Sequence, residues 1–267
     1  MAIWRPAAID RDRVLACLYV RDSENPGIPV RHGRLSDMND QDIDPLELAA
    51  LIGSRVCHDI ISPVGAITNG LEVLEEEKDE SMREFAMDLI KKSSGQASAK
   101  LQFARLAFGA SGGAGAEIDM MDAGRCAANY LEREKAELDW QVKAPMLGKH
   151  EAKLLLNLLI IAANAVARGG VIKVTAERSE DETVMRIVAE GDRAKCAAGV
   201  REVITAGAKP NPLDAHSVQP LYTALLARAS NMAITASEEE NRVVLGARSA
   251  TSQALAGGEG GAEAAIR

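Results

Sequence analysis

The sequence predicts an α plus α+β protein: a long antiparallel helical hairpin followed by a half in which short strands and helices alternate. Three observations carry this. Apolar residues recur every three or four positions from about residue 45 to 108, the glycine-rich stretch GASGGAG interrupts the chain at 109–115, and beyond it short alternating runs take over. Hydrophobic residues make up 47% and charged residues 26% of 267 positions, the proportions of a soluble globular chain with room for about two domains. Eight aromatic rings leave the core to Leu, Ile, Val, Ala and Met, which favours helix-on-helix packing over an aromatic-rich β-sandwich.

Charge and cysteine usage narrow the function classes. A net charge of −8 argues against binding nucleic acid or anionic membranes by bulk electrostatics. Cys17, Cys57, Cys126 and Cys196 are scattered singly, without metal-ligand or disulfide-framework spacing, which fits a reducing cytoplasm. The longest apolar run, Leu154–Ala167, is broken by Asn157 and Asn164 and is too short to span a bilayer. Met1–Val20 is studded with Arg and Asp and has no apolar signal-peptide core. A cytoplasmic protein with no nucleic-acid or membrane partner is expected.

Taken in order, residues 1–44 read as a flexible extension. Six arginines and no lysine fall in 1–37, and Pro6, Pro26, Gly27 and Pro29 break any helical period. Two readings stay open there: a native flexible arm, or residues lying upstream of a true start at Met38. Asp44-Pro45 is a helix start, an N-cap acceptor followed by proline at the first helical position. Leu48, Ile52, Val56, Ile60, Val64, Ile67, Leu71 and Leu74 then fall three or four apart. After the charged turn EEEKDE a second run continues through Met82, Phe85, Leu89, Ala97, Leu101, Ala104 and Phe108. Two helices of roughly 30 residues make a hairpin about 45 Å long, spanning 45–110. Alone, such a hairpin cannot cover its apolar stripe, so pairing with a second copy into a four-helix bundle is expected.

A linker occupies 111–117 and the α+β half 118–248. Asp122–Leu138 reads as a helix, Trp140–Lys143 as a short strand, and Lys149–Arg168 as a very apolar helix ended by Gly169-Gly170. VIKVTA (171–176) and TVMRIVA (183–189) alternate as strands. A helix over Ala194–Ala206, a Pro-rich loop, a helix near Leu221–Ser230 and a hairpin of Met232–Ser237 with Val243–Ala247 complete it. The Gly/Ala-rich tail, 249–267, is expected to be disordered.

The most informative segment is CHDIISPVGAITNG, Cys57 to Gly70. On a helical wheel centred on Ile60, His58 falls near about 160°, Ser62 near 200°, Gly65 near 140° and Asn69 near 180°. The histidine therefore points to solvent on a strip of small residues, with Arg55 at the neighbouring edge. Pro63, Gly65 and Gly70 within eight residues sacrifice helix propensity of roughly 1 kcal/mol per glycine and more for proline, a loss that makes sense where the local shape is needed. On periodicity alone an ordinary surface histidine fits equally.

HDIISPVG resembles the phosphoacceptor box of histidine kinases, in which His is followed by an acid and, five residues after the His, by Pro; His58, Asp59 and Pro63 match. The wider SRVCHDIISPVGAITNGLEVL is similar to the alphaproteobacterial histidine phosphotransferases, a resemblance covering about residues 45–248. It implies that His58 accepts a phosphoryl group and that the second half is a degenerate Bergerat-type ATPase-like α/β sandwich. The nucleotide elements of the kinases are damaged. Their Asn-x-x-x-Asn-Ala box keeps Asn164-Ala165 here, but Ile160 replaces the metal-holding asparagine, and Asn157 lies two turns away. The Asp-x-Gly-x-Gly box is reduced to Glu190-Gly191-Asp192-Arg193-Ala194, and the second glycine box, expected before the last helix, is HSVQPLYTALLARA. No bound nucleotide and no metal ligand are expected.

The expected chemistry is a relay. A neutral imidazole at His58 attacks an aspartyl phosphate, with Asp59 orienting the ring, Arg55 steering the partner's acids, and Ser62, Gly65 and Asn69 forming docking surface. The resemblance implies a homodimer, a CckA-like hybrid kinase receiver as donor, CtrA-like and CpdR-like regulators as acceptors, Mg²⁺ carried by the receiver, and a role in the cell cycle. An active kinase and a non-catalytic receiver-binding scaffold are the alternatives. His32, His150 and His216 read as solvated or capping residues, and Asn164 as a structural relic satisfying a buried backbone group.

Overall fold

The computed structural model describes residues 43–249, apart from Ser111, Gly112, Ala114, Arg133 and Asp181. The expectations for the N-terminal extension, including Met38 and His32, for the tail beyond Ser249 and for part of the linker lie outside the described residues.

Helix α1 (Pro45–Glu76) starts where Asp44 Oδ1 accepts from the backbone N–H groups of Leu46 and Glu47, at 2.7 and 3.1 Å. Helix α2 (Glu80–Ala107) is capped by Asp79, which accepts from Met82 N at 3.0 Å. The guanidinium of Arg83 donates to the carbonyls of Leu74 and Glu77, closing the three-residue connection and satisfying carbonyls that α1 leaves open at its end. The two helices pack on each other through small residues, with Pro63 and Gly70 of α1 and Ala86, Ser93 and Ala97 of α2 buried. A Cβ at Gly70 would stand 2.7 Å from Ile90 Cγ1 and 3.2 Å from Ala86 O, so this crossing requires glycine. The apolar stripe divides. Leu48, Ile52, Val56, Ile60, Ile67 and Leu74 are half-buried, whereas Val64 and Leu71 are exposed, as are Ile61, Met82 and Phe85.

The second half follows as β1 (Glu117–Asp119), α3 (Met120–Leu131), β2 (Ala136–Val142), β3 (Met146–Gly148), α4 (Lys149–Ala165), β4 (Gly170–Arg178), β5 (Thr183–Glu190), α5 (Val200–Ala206), α6 (Val218–Ala229), β6 (Met232–Glu239) and β7 (Arg242–Ser249). Strands β2, β4, β5, β7 and β6 form one sheet in that order, β2 parallel to β4 and the other pairs antiparallel, while β1 and β3 make a separate two-stranded ribbon. Period-2 burial puts Ile172, Val174 and Ala176 of β4, Met185, Ile187 and Ala189 of β5, and Val243, Leu245 and Ala247 of β7 against the helices. Helix α4 is the centre of the core, buried almost without break from Ala152 to Ala162.

Several boundaries differ from the sequence reading. The helix expected to reach Leu138 stops at Leu131, because Ala136–Val142 is recruited as a parallel partner of β4. The helix expected from Ala194 starts only at Val200, since Ala194 and Cys196 are buried and Lys195 N donates to Ala165 O at 3.1 Å. The ribbon strands β1 and β3 have no signal at three residues each.

The base of α2 belongs to the same core as the sheet. Phe103 and Ala107 are 1% and 0% exposed, and Phe103 stacks on Tyr130 of α3 with ring centroids 4.2 Å apart. A second apolar cluster joins the start of α1 to α6: Ile43, Leu48 and Leu51 pack with Val203, Leu213, Leu221 and Leu225. The helix pair is thus anchored to the α+β half at both of its proximal ends.

Candidate functional site

His58 lies in the middle of α1 with 58% of its side chain exposed, and its Nδ1 stands 3.6 Å from Asp59 Oδ1. The other carboxylate oxygen, Oδ2, accepts from Arg55 Nε at 2.9 Å, one helical turn back. Arg55 is only 12% exposed, and its guanidinium holds Asp59 within the chain. Ser62, Gly65 and Asn69 are exposed, and a Cβ at Gly65 would meet nothing within 4 Å. The three therefore lie on open surface beyond the histidine.

Beneath Asp59 the helix meets the second half. Val56, Asp59, Ile60, Lys100, Phe103, Tyr130 and Ile160 line a narrow crevice of about 10 Å³. Burial pushes the ionisation of the Tyr130 phenol up, and the charges of Glu134 and Asp59 push it further, so it stays neutral. Ile160, the position where the kinase box has its metal-holding asparagine, is 4% exposed and packs into this contact.

The residue that sequence reasoning missed is His216. Its ring lies edge-on to that of His58, centroids 4.6 Å apart and planes 77° to one another. It sits on the turn that starts α6. There Asp214 Oδ1 accepts from His216 N at 2.9 Å and Ser217 N at 2.8 Å, while the Ser217 hydroxyl donates to Pro212 O at 3.0 Å. These bonds hold the Asp214 carboxyl below the usual carboxylate range. Asp214 is the capping residue of this turn, and His216 is carried by it. No periodicity links positions 158 residues apart in sequence, so only the fold shows the pair.

The remaining nucleotide-box residues sort differently from expectation. Asn164 is exposed and satisfies no buried group. The asparagine with that role is Asn157, fully buried, whose Nδ2 donates to Ala107 O at 3.1 Å and Lys153 O at 2.9 Å and whose Oδ1 accepts from Gln219 Nε2 at 3.1 Å. Gly191 is required by close backbone approach: a Cβ there would meet Gly169 O at 2.3 Å. Among the described residues no group of three or more His, Cys, Asp or Glu side chains is arranged to hold a metal ion, and no helix is long and apolar enough to cross a membrane.

Comparison with known proteins identifies the family. Residues 120–242 match the family model of the histidine phosphotransferase C-terminal domain. The protein phosphotransferase ChpT of Brucella abortus (strain 2308) is 47% identical over 193 residues, 72% of this chain and 91% of the relative. A solved structure described as a bacterial phosphotransferase superposes with a TM-score of 0.71 at 45% identity, covering 77% of this chain and 98% of that one. The chain belongs to the ChpT family of histidine phosphotransferases.

Proposed function

We propose that His58 is the phosphoacceptor, taking a phosphoryl group from the phosphoaspartate of one receiver domain and passing it to the aspartate of another. The observation that carries this is an exposed imidazole whose Nδ1 faces a carboxylate that Arg55 holds in place. With the Nδ1 proton directed at Asp59, the lone pair of Nε2 is free to attack. In the forward step the Nε2–P bond forms in line as the P–O bond to the receiver's carboxylate breaks, its electron pair leaving on that carboxylate. The Nδ1 proton stays on the ring, where Asp59 balances its charge, and the return step onto a second receiver reverses these roles. The receiver's acidic pocket carries the Mg²⁺ that neutralises the transferring oxygens, and this chain contributes no ligand to it.

Transfer without ATP is the second part of the proposal. Phosphates bind helix starts whose N–H groups are open. At the start of α6 the N–H groups of His216 and Ser217 are instead taken by Asp214, whose negative charge opposes a phosphate there. Ile160 is buried in the contact with α1, and the one glycine retained from the adenine box is explained by backbone packing.

The exposed apolar residues Ile61, Val64, Leu71, Met82 and Phe85 on the helix pair support assembly of two copies into a four-helix bundle. By the motif resemblance, the relay proposed here runs from a CckA-like hybrid kinase receiver to CtrA-like and CpdR-like regulators, in the cytoplasm and in control of the cell cycle. A phosphorylated receiver mixed with the purified protein tests the reading. Acid-labile label on His58 is expected, with His58→Ala abolishing transfer while receiver binding persists. Undiminished transfer by His58→Ala, or label acquired directly from ATP, would refute it.

A further inference from the structure

We infer that His216 is a positioning residue for phosphotransfer, its ring holding the His58 imidazole in the one orientation that presents Nε2 to an incoming phosphorus. The inference rests on His58 being the phosphoacceptor. An exposed histidine in mid-helix has a restricted χ1, but rotation about its second torsion is broad and nearly two-fold. Asp59 Oδ1, at 3.6 Å from Nδ1, is a loose guide to that rotation. The edge-on ring of His216, at a centroid distance of 4.6 Å, supplies the contact that limits it. In-line transfer is sensitive to such placement, because a misorientation of the attacking atom forfeits the near-attack geometry.

The backbone that carries the second ring is held from two directions. Its turn is fixed by Asp214 accepting from the His216 and Ser217 N–H groups and by the Ser217 hydroxyl bonded to Pro212 O. The helix it leads into is fixed to α1 by the cluster in which Leu48 and Leu51 pack with Leu213, Leu221 and Leu225. Packing therefore fixes the backbone that carries the second imidazole beside α1. On this inference the second half of the chain completes the site.

The test compares wild type with His216→Ala, His216→Gln and His216→Phe, all at a residue exposed enough to leave the fold intact. Initial rates of transfer from a phosphorylated receiver are measured over a range of receiver concentrations. His216→Ala and His216→Gln are expected to lower the saturating rate about tenfold, the scale set by one lost orienting contact, with the half-saturating concentration unchanged. His216→Phe, which restores a ring edge, is expected to recover at least half of the rate. A wild-type saturating rate in His216→Ala overturns the inference, as does an effect confined to half-saturation, or equal losses in the Phe and Ala variants. Failure of the underlying reading shows elsewhere, as transfer that survives in His58→Ala, and takes this inference with it.

Discussion

Three helices meet at the side chain of Asn157. Its amide donates to Ala107 O at the end of α2 and to Lys153 O within α4, and both its backbone carbonyl and Oδ1 accept from Gln219 Nε2 of α6. Thr223 closes the set by accepting from Gln219 Nε2 and donating to Gln219 O. All three polar residues are at most 2% exposed, so every bond replaces one that water would otherwise have made. Asn157→Leu strands Ala107 O and removes one of the three acceptors of the Gln219 amide. It should cost about 2–3 kcal/mol of unfolding free energy in urea, while Asn164→Ala, at an exposed position, should fall within about 0.5 kcal/mol of wild type. Equal losses would show that the network contributes nothing. The sequence ranks these two asparagines the other way because motif spacing points to Asn164, whereas the partners of Asn157 lie 50 and 62 residues away. His58 was legible for the opposite reason. Its exposure, and that of Ser62, Gly65 and Asn69, follows from position on one helix, which periodicity reports directly.

Within α1 two glycines five residues apart do opposite things. Gly70 faces α2 where a methyl group would sit 2.7 Å from Ile90 Cγ1 and 3.2 Å from a backbone oxygen, while the space around Gly65 is open. Gly70→Ala should therefore destabilise the protein by about 1–3 kcal/mol through overpacking. Gly65→Ala should stabilise it by about 0.5–1 kcal/mol, since it restores helix propensity without a clash. If the bare surface at Gly65 is there for a receiver to approach, the same substitution raises the half-saturating receiver concentration. Thermal melts and a transfer titration on the two variants separate these effects, and a Gly70→Ala protein as stable as wild type would contradict the close crossing. The start of α1 was readable, since Asp44-Pro45 acts through bonds two or three residues long. Strand β2 was not. Its charged, helix-compatible residues become strand only because the parallel edge of β4 is beside them, a tertiary effect that overrides local preference.

Across the whole molecule, uncovered apolar surface runs along the helix pair beside the polar site. Phe85 is 65% exposed, Ile61 63% and Leu71 49%, a concentration of apolar surface that a lone soluble chain seldom leaves open. Pairing of two copies through this surface predicts that Phe85→Glu with Leu71→Arg sediments as a monomer at micromolar concentration where wild type sediments as a dimer. Wild type sedimenting as a monomer would remove the bundle from the account. Arg55, Asp59, His58 and His216, by contrast, all come from one chain and touch one another within it. The monomeric variant should therefore still accept phosphate on His58 from a receiver at a rate within a few-fold of wild type. Loss of transfer with the fold intact would mean that the second copy supplies part of the site, and that the ring pair of His58 and His216 is not sufficient to orient the acceptor.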